Sequence, residues 1–147
     1  MVLYQPEIPP NTGNISRLCA GTLSKLHLIE PLGFSISDKE LKRAGLDYWH
    51  LVDLQTYPSY EAFCQSFKPI DRLWYLSSKV QRSYTSVSFQ DGDALMFGPE
   101  TRGLPAEIID QYPNRCITIP MKGAIRSLNL STAVGIVVYE ALRQIGF

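Results

Sequence analysis

Short apolar runs alternate with segments of helical period from one end of this chain to the other, and that alternation limits the fold more than any other feature. Val2 to Tyr4, Leu26 to Glu30, Trp49 to Asp53, Leu73 to Leu76, Leu95 to Phe97 and Cys116 to Ile119 each have the length of a buried strand. Between them, Asn11 to Ala20 places Ile15, Leu18 and Cys19 at i, i+3, i+4. Asp38 to Ala44, Pro58 to Ser66 and Pro105 to Tyr112 read as shorter helices, and Leu128 to about Ile145 as a long one closed by Gly146. Strands that are apolar throughout, separated by helices, predict an α/β fold with a mostly parallel sheet covered by helices on both faces. Tyr84 to Asp93, rich in Ser and Asp, predicts a loop or hairpin within the domain. With 147 residues and 45% hydrophobic content, one domain spanning 1–147 accounts for the whole sequence.

The strand ends point to a site, because ligands in parallel α/β folds sit at the carboxyl edge of the sheet. Ile117 to Thr132 (ITIPMKGAIRSLNLST) leaves a strand through Pro, Gly and Ser and enters the last helix, whose first turn offers unpaired N–H groups. Leu95 to Pro105 (LMFGPETRGLP) is a second such segment, with an unusual density of Gly, Pro, Glu and Arg.

Several chemistries are excluded by what is missing. None of the ten glycines forms G-x-G, so the dinucleotide fingerprint is absent. Gly98 to Gly103 has P-loop spacing, but Leu104 stands where Lys is required. No G-x-S-x-G elbow occurs. The three cysteines, Cys19, Cys64 and Cys116, are widely spaced and suggest neither a disulfide framework nor a zinc site, so no metal is expected. His27 and His50 have no evident catalytic partners and read as structural. Fourteen basic residues balance fourteen acidic ones, so net charge gives no argument for nucleic acid. Arg115, Lys122 and Arg126 do form a local basic stretch. The N-terminus lacks a signal-peptide pattern, and no run reaches the ~18 apolar residues of a membrane span. The expected location is the cytoplasm, with no membrane partner.

Three segments remain: Asn11 with Arg17; Gly98-Pro99-Glu100 with Gly103; and Ile119-Pro120-Met121 with Ser127 to Ser131. In order and spacing they resemble the three motifs of the SPOUT methyltransferases, and they cover the chain nearly end to end. LYQPEIPPNTGNISRLC (Leu3 to Cys19) and VVYEALRQ are similar to the small subfamily called TrmL, whose members methylate the ribose 2'-hydroxyl of the tRNA wobble nucleotide.

The resemblance implies a deep C-terminal trefoil knot, an obligate homodimer, and S-adenosylmethionine bound among the knot loops. It implies cofactor contacts at Leu76, Gly98, Ile119, Ser127 and Leu128, with Met121 alongside, and catalytic roles for Arg17, Glu100 and Asn129. An arginine is too basic to act readily as a base alone, so orientation of the hydroxyl or a phosphate is the first role expected of Arg17. Glu100 is expected to cap its own loop or to hold Arg17 or Arg102, and Asn129 to brace the loop. Arg102, Lys122, Arg126 and Tyr139 are the candidates for RNA contact, Tyr139 alternatively for the dimer interface. With no additional RNA-binding domain, a small target such as an anticodon loop is expected. The competing readings are methylation of another tRNA site or ribosomal RNA, a non-catalytic RNA-binding or cofactor-sensing module, and an unknotted flavodoxin-like binder.

Overall fold

A computed structural model describes residues 1–37 and 48–147. The helix expected at Asp38 to Ala44 lies outside the described residues. Six strands, β1 (Val2–Tyr4), β2 (Leu26–Ile29), β3 (Leu54–Tyr57), β4 (Leu73–Leu76), β5 (Ala94–Phe97) and β6 (Cys116–Ile117), form one sheet in the order β3-β2-β1-β5-β4-β6. Every pairing is parallel, with Val2 opposite both His27 and Met96. Among the described residues the α-helices are α1 (Pro9–Thr22), α2 (Tyr60–Ser66), α3 (Ala106–Gln111) and α4 (Leu130–Ile145).

Side chains alternate across a strand, and the core divides accordingly. Leu3, Leu95 and Phe97 point to one face, where they meet Ile15 and Cys19 of α1 and Val134, Val137 and Val138 of α4. Val2, Ala94 and Met96 point to the other, against Phe63 of α2 and Ile108 and Ile109 of α3. Strand β5 is buried at all four positions, as its uniformly apolar sequence requires.

The strand expected at Trp49 to Asp53 is not formed. Trp49–Leu51 is a single 3-10 turn, and the chain joins the sheet just afterwards at Leu54–Tyr57. The reason is position: β3 is the edge strand, so Gln55 and Thr56 stay exposed and no apolar run marks it. The segment expected as a loop or hairpin at Tyr84 to Asp93 is a loop containing one 3-10 turn, Tyr84–Ser86. Its base is fixed by Asp93, whose carboxylate accepts from Arg72 Nε (2.5 Å), Arg72 Nη2 (2.6 Å) and Trp74 Nε1 (3.0 Å).

Both long helices are set by their ends. Pro9 opens α1, where a missing N–H costs nothing. The Asn129 side chain opens α4, accepting from the amides of Ser131 (2.9 Å) and Thr132 (3.4 Å). Helix α4 buries one side on the sheet and leaves an apolar remainder, with Tyr139 51% and Ile145 40% exposed. Among the described residues no helix is long and apolar enough to cross a membrane.

Candidate active site

The order of strands places the loops after β1, β5, β4 and β6 side by side at the carboxyl edge. Between β1 and β5 the chain order reverses direction along the sheet, the position at which parallel α/β folds open a ligand crevice. A pocket of about 360 Å³ lies there.

The loop after β5 is a tight ring. A side chain at Gly98 would put its Cβ 2.3 Å from the backbone of Gly103 and Leu104, so only glycine fits. Gly103 closes the ring, with φ +69° and its amide donating to Pro99 O at 2.9 Å. The apex of this ring, Glu100 to Arg102, rests on the loop after β1. Glu100 accepts from the amides of Glu7 (2.8 Å) and Ile8 (3.2 Å) and from Asn11 Nδ2 (3.0 Å). Asn11 Oδ1 in turn accepts from Asn129 Nδ2 at 2.9 Å. One relay, Glu100 to Asn11 to Asn129, therefore joins the three segments singled out in the sequence and ends on the cap of α4.

Two expectations for Glu100 are corrected here. It caps the entry to α1 rather than its own loop, because the amides before Pro9 are the nearby donors without helical partners. It holds neither Arg17 nor Arg102; Arg102 Nη2 donates instead to Gln5 Oε1 at 2.7 Å. Asn129 bonds Asn11 and caps α4.

The pocket wall contains every residue expected at the cofactor: Leu76, Gly98, Ile119, Ser127 and Leu128. Glu100, Asn129, Met121, Arg102 and Arg126 line it too, and so do Asn11, Ile8, Thr101 and Lys79. Three expected site residues lie elsewhere. Arg17 is exposed on α1, its guanidinium 4.8 Å from the ring centre of Tyr48. Asn11 is buried at the start of that helix, and the separation of six positions turns Arg17 onto a different face. Lys122 is exposed outside the lining, and Tyr139 stands on the uncovered face of α4. Lys79 and Thr101 drew no attention in the sequence, where a lysine and a threonine in loops carry no distinctive signal.

Among the described residues no cysteine or histidine lines the pocket. Burial pushes the Cys19 thiol up to about 11 and raises Cys64 and Cys116 as well. His27 bonds Tyr57 Oη at 3.0 Å, is pushed down to about 4 chiefly by burial, and lies outside the lining. Among the described residues no group of three or more His, Cys, Asp or Glu is arranged to hold a metal ion.

These features define a parallel α/β domain with a ligand pocket at its switch point, walled by apolar side chains, backbone and a cationic rim. The chain belongs to the SpoU rRNA Methylase family, whose pattern it matches over residues 1–139. It is 55% identical over 148 residues to a tRNA (cytidine(34)-2'-O)-methyltransferase of Escherichia coli (strain K12), covering 100% of this chain and 94% of that protein. To the enzyme of the same description from Methylovorus glucosotrophus (strain SIP3-4) it is 51% identical, over 100% of this chain and 96% of the relative. A solved structure described as giving insights into the 2-OH methylation of C/U34 on tRNA superposes with a TM-score of 0.93. It is 49% identical, and the match covers 97% of this chain and 93% of that one.

Proposed function

We propose that this chain is a tRNA 2'-O-methyltransferase acting on the ribose of the wobble nucleotide, position 34, with S-adenosylmethionine as methyl donor. The observation that carries this is the full-length likeness to tRNA (cytidine(34)-2'-O)-methyltransferases, 55% identical in the case of the Escherichia coli enzyme. The pocket fits the donor in kind. Its volume of about 360 Å³ suits a nucleoside-sized ligand, Leu76, Ile119 and Leu128 give an apolar slot, and Gly98 lets backbone approach closely. Leu76, Gly98, Ile119, Ser127 and Leu128 are the residues that would hold it. When bound, the donor supplies an electrophilic methyl group on a sulfonium.

The protein's share of the chemistry is to bring the 2'-oxygen in line with that methyl and to manage one proton. An oxygen–carbon bond forms, a carbon–sulfur bond breaks, and the hydroxyl proton leaves to a nearby acceptor. Arg17 orients the hydroxyl or the adjacent phosphate, while Glu100 and Asn129 keep the pocket walls in register. Arg102 and Arg126 lie at the pocket and suit phosphate contact, and Lys122 extends the same basic edge.

We further propose a homodimer. The exposed face of α4 carries Tyr139 and Ile145, and Arg17 lies outside the pocket of its own chain. A second copy packed on that face would cover the apolar surface and bring its Arg17 to this pocket. The knotted threading belongs to the same reading. After β6, Thr118 crosses beside the loop that follows β4, with its amide on Arg82 O at 2.8 Å and its carbonyl accepting from Tyr84 N at 2.9 Å, before the chain returns to α4. A site in the cytoplasm, where tRNA is processed, completes the proposal.

Mapping 2'-O-methylation in total tRNA from a strain lacking the protein tests the assignment. Loss of the mark at nucleotide 34 is expected; full wobble methylation refutes it. A loss confined to ribosomal RNA would favour the alternative that the family description suggests. Mixing Arg17→Ala chains with chains carrying a lethal pocket change tests the shared site, since activity returns only if each pocket borrows its arginine.

A further inference from the structure

The loop after β1 contains a carboxylate that the relay described above does not include. Glu7 lies outside the pocket lining, yet both its carboxylate oxygens face the apex of the β5 loop. Thr101 donates its amide to Glu7 Oε2 at 3.0 Å and its hydroxyl to Oε1 at 2.9 Å. At the same residue the Glu7 amide donates to Glu100 Oε2 at 2.8 Å. The contact is thus reciprocal: the backbone of 7 holds side chain 100, and the side chain of 7 holds backbone 101. Arg102 on Gln5 extends it to three successive apex residues. On its other side, residue 7 is packed against Gly33, where an added Cβ would lie 2.7 Å from Glu7 Cα and O.

We propose that Glu7 is a positioning residue for the methyl-transfer step, fixing α1 and the β5 loop as one body; this rests on the function proposed above. The mechanical link is short and stiff. Pro9 and Pro10, with their locked φ angles, stand between Glu7 and Asn11, so a displacement at Glu7 is passed to α1 rather than absorbed. That helix carries Asn11 at the pocket and, six positions on, Arg17. The hydrogen bonds of the Glu7 carboxylate go to Thr101, and Glu7 is not part of the lining that holds Leu76, Gly98, Ile119, Ser127 and Leu128, so its effect falls on alignment of the reacting ribose rather than on donor affinity. The Glu7 carboxyl is held below the usual range by the Thr101 hydroxyl and amide, which keeps it an acceptor at neutral pH.

The test compares Glu7→Ala, Glu7→Gln and Thr101→Val in the full-length protein, measuring kcat, the dissociation constant for S-adenosylmethionine, and hydrogen exchange of the Thr101 amide. The wild type, assayed on tRNA for methylation at nucleotide 34, tests the assigned function separately; exchange and donor binding need no turnover. For Glu7→Ala the expected result is kcat lower by about tenfold, the equivalent of one charge-assisted hydrogen bond lost from alignment. Donor affinity stays within about twofold, and the Thr101 amide exchanges about tenfold faster. Glu7→Gln restores most activity, because its oxygen accepts the amide and its NH2 donates to the hydroxyl oxygen. Thr101→Val adds nothing to Glu7→Ala in the double variant. Unchanged kcat in Glu7→Ala, equal losses of kcat and donor affinity, or a Gln variant as inactive as Ala each overturn the proposal. If Glu7→Ala does not fold, the same split is read in Thr101→Val, where wild-type kcat refutes it.

Discussion

Replacing Asn11 by Asp gives the sharpest test of the relay, because it changes one atom and inverts one contact. In the wild type Asn11 Nδ2 donates to Glu100 at 3.0 Å and Asn11 Oδ1 accepts from Asn129 at 2.9 Å. The substitution keeps the acceptor for Asn129 and sets a second carboxylate against Glu100. Two unit charges at 3.0 Å in an effective dielectric of about 20 repel by ~5 kcal/mol. Glu100 is only half-buried, so screening reduces this to about 1–2 kcal/mol. Loss of a hydrogen bond to a charged group adds about 1.5–3 kcal/mol. A carboxylate in the first turn of α1 returns up to ~1 kcal/mol through the helix dipole. The balance is a loss of about 2–4 kcal/mol, a fall in Tm of about 5–15 °C for a chain of this size.

Its pH dependence separates this reading from simple loss of contact. In the folded variant the two facing carboxyls favour sharing a proton, so one folded-state pKa rises above its unfolded value. The native state then binds more protons than the unfolded state, and stability falls as pH rises through that raised pKa and recovers on acidification. Asn11→Ala has no such pair and serves as the reference. Thermal melts of both variants between about pH 5 and 8 should diverge, with Asn11→Asp gaining on Asn11→Ala as pH falls. Parallel curves would refute the relay as the element joining Glu100 to α1.

Other expectations are as direct. Gly98→Ala forces a Cβ to 2.3 Å from backbone that has no flexible side chain to yield, and calorimetry should show donor affinity lowered at least about tenfold. Asp93→Ala strands a half-buried Arg72 and removes the acceptor of two further donors, Trp74 Nε1 and the Gln90 amide, costing about 3 kcal/mol in thermal melts. Donor affinity should hold, since that pair sits at the opposite, amino end of β4 and β5. His27, lowered from 6.5 to about 4 chiefly by burial, binds more protons unfolded than folded between those values. Its contribution is full above about pH 6.5 and is lost as pH falls toward 4, an effect of about 1 kcal/mol after screening. His27→Gln should flatten the stability profile in that window.

The strands that matter to the site were legible because they are central. Leu73 to Leu76 and Leu95 to Phe97 are uniformly apolar since helices cover both faces, and burial writes itself into composition there. Strand β3 was missed for the opposite reason: an edge strand with Gln55 and Thr56 in solvent has no need of an apolar run, while within the apolar stretch Trp49 to Val52, Leu51 stays exposed and Val52 packs against the core. Pocket residues of the β4, β5 and β6 loops were legible through Gly, Pro and the family motifs. The partners of Glu100 were not, because backbone amides carry no sequence signal, and neither was the place of Arg17, which depends on helix rotation.

What the topology adds is the reason a relay is needed at all. The loops after β1 and β5 are neighbours only because β5 inserts between β1 and β4, some ninety residues later in the chain than the loop it meets. The sheet fixes the strand ends, but β1 contributes three residues and β6 two, too few to orient the long loops that follow them. Hydrogen bonds among Glu7, Glu100, Thr101, Asn11 and Asn129 supply that orientation; Glu100, Thr101, Asn11 and Asn129 line the pocket itself, and the Glu7 carboxylate stands behind them, outside the lining. The apolar slot of Leu76, Ile119 and Leu128 and the outer contact of Glu7 with Thr101 are therefore distinct sets of residues. A change at Glu7 should move kcat while a change in the slot moves affinity, and that division follows from the strand order, which sets the loop after β1 behind the loop after β5.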